Sequence, residues 1–165
     1  MAVASRREAP AAFLVLLSFG AGFAMMVVEL TATRLLAPYF GTSTYIWTNV
    51  IGSILAALAA GYYLGGKLAD RWPRLQTAAA LLLASGLLTA VAPFAALALS
   101  RAFLPESGAA VFGLPLFVRG SLLVTLIVFA PPVFAMAALS PLIVRLLAQG
   151  NHVGWASGAN SAAGP

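Results

Sequence analysis

Two side chains of opposite charge lie in one apolar stretch near the start of the chain. Glu29 and Arg34 are five residues apart, and the residues from Ala11 to Val28 before them carry no charge. A charged side chain within hydrocarbon is costly, and it usually serves a function or a specific contact. The chemistry to consider is that of a carboxylate that binds a proton or a cation, or that joins two helices.

Helical geometry separates these two charges from each other. On an α-helix, positions five residues apart point about 140° apart, so Glu29 and Arg34 are not an intrahelical ion pair. At 1.5 Å per residue, Glu29 falls in the outer third of the first apolar span. We expect its carboxylate to meet a polar group on another span, such as Asn49, Thr48 or Tyr45, or on a partner chain. Arg34 lies further out and can reach the headgroups.

The composition indicates what kind of protein positions these residues. Hydrophobic residues make up 62% of the chain, charged residues 8%, and the mean hydropathy is +0.99. Because a soluble domain has about a quarter charged residues, the sequence predicts an all-α, polytopic membrane helix bundle. The net charge of +5 does not indicate a nucleic-acid partner, since the basic residues flank apolar spans. Without cysteine, and with His152 alone, no metal site or cofactor is expected.

Four apolar stretches are long enough to cross a bilayer, which takes about 20 residues. They cover residues 11–36, 45–64, 77–99 and 116–139, within a membrane domain of residues 11–147. Residues 1–10 form an N-terminal segment, and the small-residue tail 148–165 is either loose or the start of a truncated fifth helix. The distribution of basic residues predicts that both termini lie in the cytoplasm. The expected location of the protein is a bacterial-type inner membrane. On the cytoplasmic side lie Arg6, Arg7, Lys67, Arg71, Arg74 and Arg145, against Arg34, Arg101 and Arg119 outside.

Small residues and prolines predict how the spans pack. Small side chains at four-residue spacing let helices approach closely. The second span carries two such rows, which are Gly52, Ala56 and Ala60, and Ala57, Gly61 and Gly65.

Prolines predict where the helices break. Pro38, together with Gly41, is expected to end the first helix. Pro93, Pro131 and Pro132 remove hydrogen bonds inside the third and fourth spans. Such breaks serve either kinked packing or a transporter site. The carbonyls freed on four-residue spacing are those of Thr89, Ile127 and Val128.

A charged loop follows the second span. In "GGKLADRWPR", Gly66 precedes Asp70 and Arg71 at the spacing G-x-x-x-D-R, and Arg74 follows. Major facilitator transporters carry a similar loop, in which charged contacts brace neighbouring helices. The alternative is a solvated, positively charged loop of ordinary type.

Together these motifs resemble a known family. Residues 27–71 are similar to the membrane-embedded N-terminal region of spermidine synthase-like proteins, which are fused major-facilitator/spermidine-synthase proteins. "APPVFAMAALSPLIVRL" resembles a later span of that family, although Ala135 stands where a glycine is expected. The aminopropyltransferase domain of the family, with its Gly-rich loop, is not among these residues. The positions that match are Glu29, Arg34, 35–41, Trp47, Gly61, Tyr62, 64–66, 68–71, Pro131, Ser140, Pro141 and Arg145.

Three functions follow from the motifs and the resemblance. The first is a non-catalytic accessory subunit that packs against other transmembrane helices, in a homo-oligomer or a larger membrane complex, with lipid as its surroundings. The second is an oligomeric transporter unit for a cationic amine or polyamine, with Glu29 as counter-charge. The third is the membrane half of a split polyamine aminopropyltransferase. No catalytic residue set is recognised, so the chain is not expected to be an enzyme by itself.

Overall fold

The described residues form mainly long helices. A computed structural model describes residues 11–103, 110–111 and 114–149. Helix α1 spans Ala11–Phe40, α2 spans Thr44–Arg71 and α3 spans Leu75–Ala102. Two-residue strands β1 (Ala110–Val111) and β2 (Leu114–Pro115) pair antiparallel before α4 (Leu116–Val124), which continues through a π-helical turn (Thr125–Phe129) into α5 (Ala130–Gln149).

The predicted fold class is confirmed. The described part contains four helices that are long and apolar enough to span a membrane, so the protein is an all-α, multi-pass helical bundle. The helices run beyond the predicted spans, because α2 continues to Arg71 and α3 begins at Leu75. The predicted N-terminal segment and residues 150–165 of the predicted tail lie outside the described residues.

Helix α1 ends later than Pro38 predicts. Pro38 lies inside α1, which continues to Phe40. Gly41 has a φ of +82° and donates its N–H to the Ala37 carbonyl at 2.9 Å. A glycine in the left-handed region ends a helix, whereas a proline in the last turn removes one hydrogen bond and can be accommodated. Gly41 alone therefore stops α1, and the prediction that Pro38 also ends it is wrong.

The fourth long helix consists of α4, the π-helical turn and α5, and it occupies the centre of the bundle. It is called the central helix. Of its most apolar window, 61% is buried, compared with 11%, 28% and 17% for α1, α2 and α3. It contributes Val124, Val128 and Phe129 to one buried cluster, and Leu139 and Leu142 to a second. The other three helices therefore pack around a single central helix.

Helix α2 makes the closest approach to this central helix. A Cβ built on Gly61 would lie 2.6 Å from the Phe134 carbonyl oxygen, and one on Gly65 would lie 2.5 Å from the Ala138 Cα. Both distances are far shorter than real Cβ contacts, and the obstructing atoms belong to backbone. The backbones of α2 and α5 are thus in direct contact, as small-residue interfaces permit.

A wide turn joins α4 to α5 ahead of a proline pair. The Ala130 N–H donates to the Thr125 carbonyl, five residues back rather than four. Pro131 and Pro132 follow and have no N–H to donate. π-Turns of this kind accommodate one extra residue within a helix.

Candidate functional site

A hydrogen-bonded cluster joins α2 to the central helix. The Asn49 Nδ2 donates to the Val118 carbonyl at 2.8 Å and to the Ser121 Oγ at 3.0 Å. The Ser121 hydroxyl also donates to the Val118 carbonyl, and the Thr125 hydroxyl donates to the Ser121 carbonyl at 2.7 Å. Ser121 and Thr125 are fully buried. This Asn49 cluster (Asn49, Ser121 and Thr125) links α2 to α4 and so opposes rotation of one helix against the other.

The sequence analysis named Asn49 but expected a different partner. Glu29 was the expected neighbour, whereas the Asn49 amide is directed to α4. Ser121 and Thr125 were missed, although their four-residue spacing places them on one side of a strongly apolar helix. That spacing is the signal by which they could have been found. Thr48, another expected partner of Glu29, donates its hydroxyl to the Thr44 carbonyl of its own helix.

Glu29 lies at the border between the buried and exposed faces of α1. Val28 and Ala32 are buried, Leu30 is exposed, and Glu29 is partly buried between them. Within the described part of the chain, the one ion pair joins Asp70 to Arg145, so Glu29 has no charged partner there. Since α1 continues to Phe40, Glu29 lies about 27 Å from the start of the helix and about 17 Å from its end. It is therefore closer to the middle of the helix than the outer third that the sequence predicted.

Arg34 is exposed on the opposite side of α1 from this border. Its position about 9 Å before the end of the helix places it near the α1–α2 turn. The end of the bundle that contains this turn is called the Gly41 end below. The two charges of the opening motif therefore face different surroundings.

The opposite end of the bundle, called the Asp70 end, contains the described ion pair. The Asp70 Oδ1 lies 3.6 Å from the Arg145 Nη2, which connects the end of α2 to α5. Both side chains are mostly exposed, so the pair contributes little stability by itself. It joins α2 to α5, while the interpretation of the G-x-x-x-D-R spacing as a major-facilitator-like loop stays a prediction.

The remaining residues of this loop have other roles. The Arg71 guanidinium lies 5.4 Å from the centroid of a Trp72 ring, within the range of a cation–π contact. The Arg74 carbonyl accepts the N–H groups of Thr77 and Ala78 and so begins α3. A Cβ on Gly66 would meet nothing within 4 Å, so the close approach in this region depends on Gly65 instead.

The two small-residue rows of α2 have different surroundings. The buried row (Ala57, Gly61 and Gly65) lies against α5. The open row (Gly52, Ala56 and Ala60) is exposed, and a Cβ on Gly52 would meet nothing within 4 Å. No described helix covers the open row.

Pro93 is exposed on α3, whereas Pro132 is buried and Pro131 partly buried beside the π-turn. Among the described residues, no group of three His, Asp or Glu side chains is placed to hold a metal ion. Among the described side-chain hydrogen bonds, those of Asn49 join α2 to α4, that of Thr77 reaches the Trp72 carbonyl in the α2–α3 turn, and the others lie within one helix.

Comparisons of the chain with protein-family models, curated proteins and solved structures found no match. The resemblance of residues 27–71 to spermidine synthase-like proteins therefore stays a prediction based on the motifs.

Proposed function

We propose that the protein is a non-catalytic membrane subunit whose open row on α2 packs against a transmembrane helix of another chain. The observation that carries this proposal is the contrast between the two rows on one helix. The buried row already uses its small residues for backbone contact with α5. The open row also has only glycine and alanine at the same spacing, with no described helix against it.

The physics of helix association in lipid supports this assignment. Apolar surfaces gain little by leaving lipid for protein, so association there depends on close packing and on hydrogen bonds between helices. Small residues allow that packing. The partner is either a second copy of this chain or a different membrane protein, and the chain carries out its role by holding that partner.

The absence of cysteine from the sequence provides a clean background for a cross-linking test. A single cysteine would replace Ala56 in the open row, and a matched one would replace Ala90 on α3. Both alanines are exposed, and both lie about 18 Å from the Gly41 end of their helices. Each cysteine would be labelled in native membranes with a short thiol-reactive photo-crosslinker and illuminated.

We expect larger cross-linked species for Ala56→Cys and few for Ala90→Cys. A product of twice the chain mass identifies a second copy, and any other mass identifies a different partner. Equal cross-linking at the two positions, or none at either, contradicts the proposal. So does recovery of a stable lone monomer in mild detergent.

Glu29 favours a second candidate function. Its carboxylate lies partly buried in an apolar helix and has no charged partner among the described residues. A cationic amine or polyamine would supply the missing charge, and an oligomer would supply the helices that alternating access needs. The test is amine flux into proteoliposomes, for which Glu29→Gln is expected to abolish transport. Unchanged flux in Glu29→Gln removes this candidate.

A further inference from the structure

A small pocket lies at the Gly41 end, where the last turns of α1 meet the first turns of α2. Its volume is about 120 Å³, and its lining includes Arg34 from α1, Thr42 from the turn and Trp47 from α2. All three residues are exposed. The pocket is therefore open to whatever surrounds this end of the bundle.

Arg34 is the one charged residue in the otherwise mostly apolar lining of this pocket. Arg34 supplies a cation that deprotonation does not remove. Of the described acids, Glu29 points about 140° away around α1, and Asp70 pairs with Arg145 at the other end. The start of α2 adds to the positive potential. There the Ser43 carbonyl accepts the N–H groups of Ile46 and Trp47, and the Ser43 side chain makes no capping bond.

The depth of Arg34 indicates which anion is available. Helix α1 is about 44 Å long, whereas the hydrocarbon core of a bilayer is about 30 Å thick. If the extra length of α1 is divided equally between its two ends, the boundary of the hydrocarbon core falls about 7 Å before Phe40. Arg34 lies about 9 Å before Phe40, close to that boundary. An arginine there reaches the level of the lipid phosphates.

We infer that this pocket binds the phosphate of a membrane lipid headgroup, with Arg34 as its cation. The guanidinium offers paired N–H donors to phosphate oxygens. Trp47 lies at the depth where indole rings favour the interface. Exposed Leu30, about one turn deeper on α1, provides an apolar surface for the acyl chains of the same lipid. Inorganic phosphate has the same headgroup chemistry but lacks those chains.

Native mass spectrometry of the full chain in detergent tests this inference with four probes. The probes are phosphatidylglycerol, phosphatidylcholine, diacylglycerol and inorganic phosphate. We expect the two phospholipids to bind and diacylglycerol not to bind. Arg34→Gln is expected to raise the dissociation constant for phosphatidylglycerol about tenfold or more, as loss of a charge-assisted bond implies.

Two further variants keep the result interpretable. Arg119→Gln removes the same charge from an exposed position at the same end of the bundle, outside the pocket lining, and is expected to bind normally. Ala37→Leu fills the pocket and keeps Arg34, and it is expected to weaken binding.

Equal weakening by Arg34→Gln and Arg119→Gln overturns the inference, because it indicates a diffuse charge effect. Binding of diacylglycerol as tightly as phosphatidylglycerol overturns it as well. If inorganic phosphate displaces the lipid as readily as added phosphatidylglycerol does, the ligand is the free ion and the lipid assignment is wrong.

Discussion

The buried row and the open row of α2 are close to identical in sequence terms and opposite in surroundings. Each has three small residues at four-residue spacing, and each begins within two turns of the other. One row lies against the backbone of α5, where a Cβ on Gly65 would be 2.5 Å from the Ala138 Cα. The other row is exposed, and a Cβ on Gly52 would touch nothing.

This difference shows that small residues do not by themselves identify a partner. The Asn49 cluster and the Asp70–Arg145 pair lie at the two ends of the α2 contact with the central helix. The Asn49 cluster and the backbone packing of Gly61 and Gly65 against α5 fix the rotation of α2, so the open row faces away. The buried row stabilises the fold, and we propose that the open row serves assembly.

The largest expected effect comes from adding one methyl group to the buried row. Gly65→Ala is expected to lower the free energy of unfolding by about 3 kcal/mol, because the new Cβ meets backbone that cannot rotate away. Gly52→Ala makes the same change in the open row and is expected to be neutral, or stabilising by up to about 1 kcal/mol through helix propensity.

Reversible unfolding in mixed micelles, followed by circular dichroism, measures both variants. Equal free energies of unfolding for Gly65→Ala and Gly52→Ala would contradict the difference in packing between the buried row and the open row.

A smaller effect is expected at the Asn49 cluster. Asn49→Leu keeps the side-chain size and removes the two bonds to α4, so we expect a loss of about 1–2 kcal/mol. Thr48→Val is the matched control, since the Thr48 hydroxyl bonds only within its own helix, and it is expected to change stability by less than about 0.5 kcal/mol. The same unfolding assay applies. A silent Asn49→Leu would mean that the cluster does not set the rotation of α2.

The smallest effect is expected at the Asp70 end. A double-mutant cycle with Asp70→Asn and Arg145→Gln is expected to give a coupling of about 0.5 kcal/mol, because both side chains are mostly exposed. The coupling should fall as salt concentration rises. A coupling above about 1.5 kcal/mol, or one that salt does not change, would show that this pair holds α2 against α5 more strongly than its exposure indicates.

Much of the fold could be predicted from sequence, for clear physical reasons. Length and apolarity identify a membrane helix without reference to any neighbour, so the four spans were correctly predicted. The ends of the spans were predicted less accurately. Pro38 is accommodated in the last turn of α1, and the helix ends only before Gly41. The π-turn was not predicted, since the proline pair indicates a break but not its register.

The contacts between helices were harder to predict, because they depend on rotation. Asn49 was recognised as polar and important, but its partner on α4 is separated from it by about 70 residues and no local pattern links them. The two rows on α2 were both found, yet spacing alone did not distinguish the buried row from the open one. Rotation of α2 against the central helix decides that, and it emerges only from the packed bundle.

The central claim is that the open row serves assembly and the buried row serves the fold. Its most direct test measures two variants, Ala56→Leu in the open row and Ala57→Leu in the buried row, for both unfolding and association. Association is read as the distribution of oligomeric states in native-lipid vesicles, by single-molecule photobleaching of labelled protein or by co-purification of the partner.

We predict that Ala57→Leu lowers the free energy of unfolding by about 1–3 kcal/mol through overpacking, while Ala56→Leu leaves it unchanged and abolishes association. Intact association in Ala56→Leu would contradict the account.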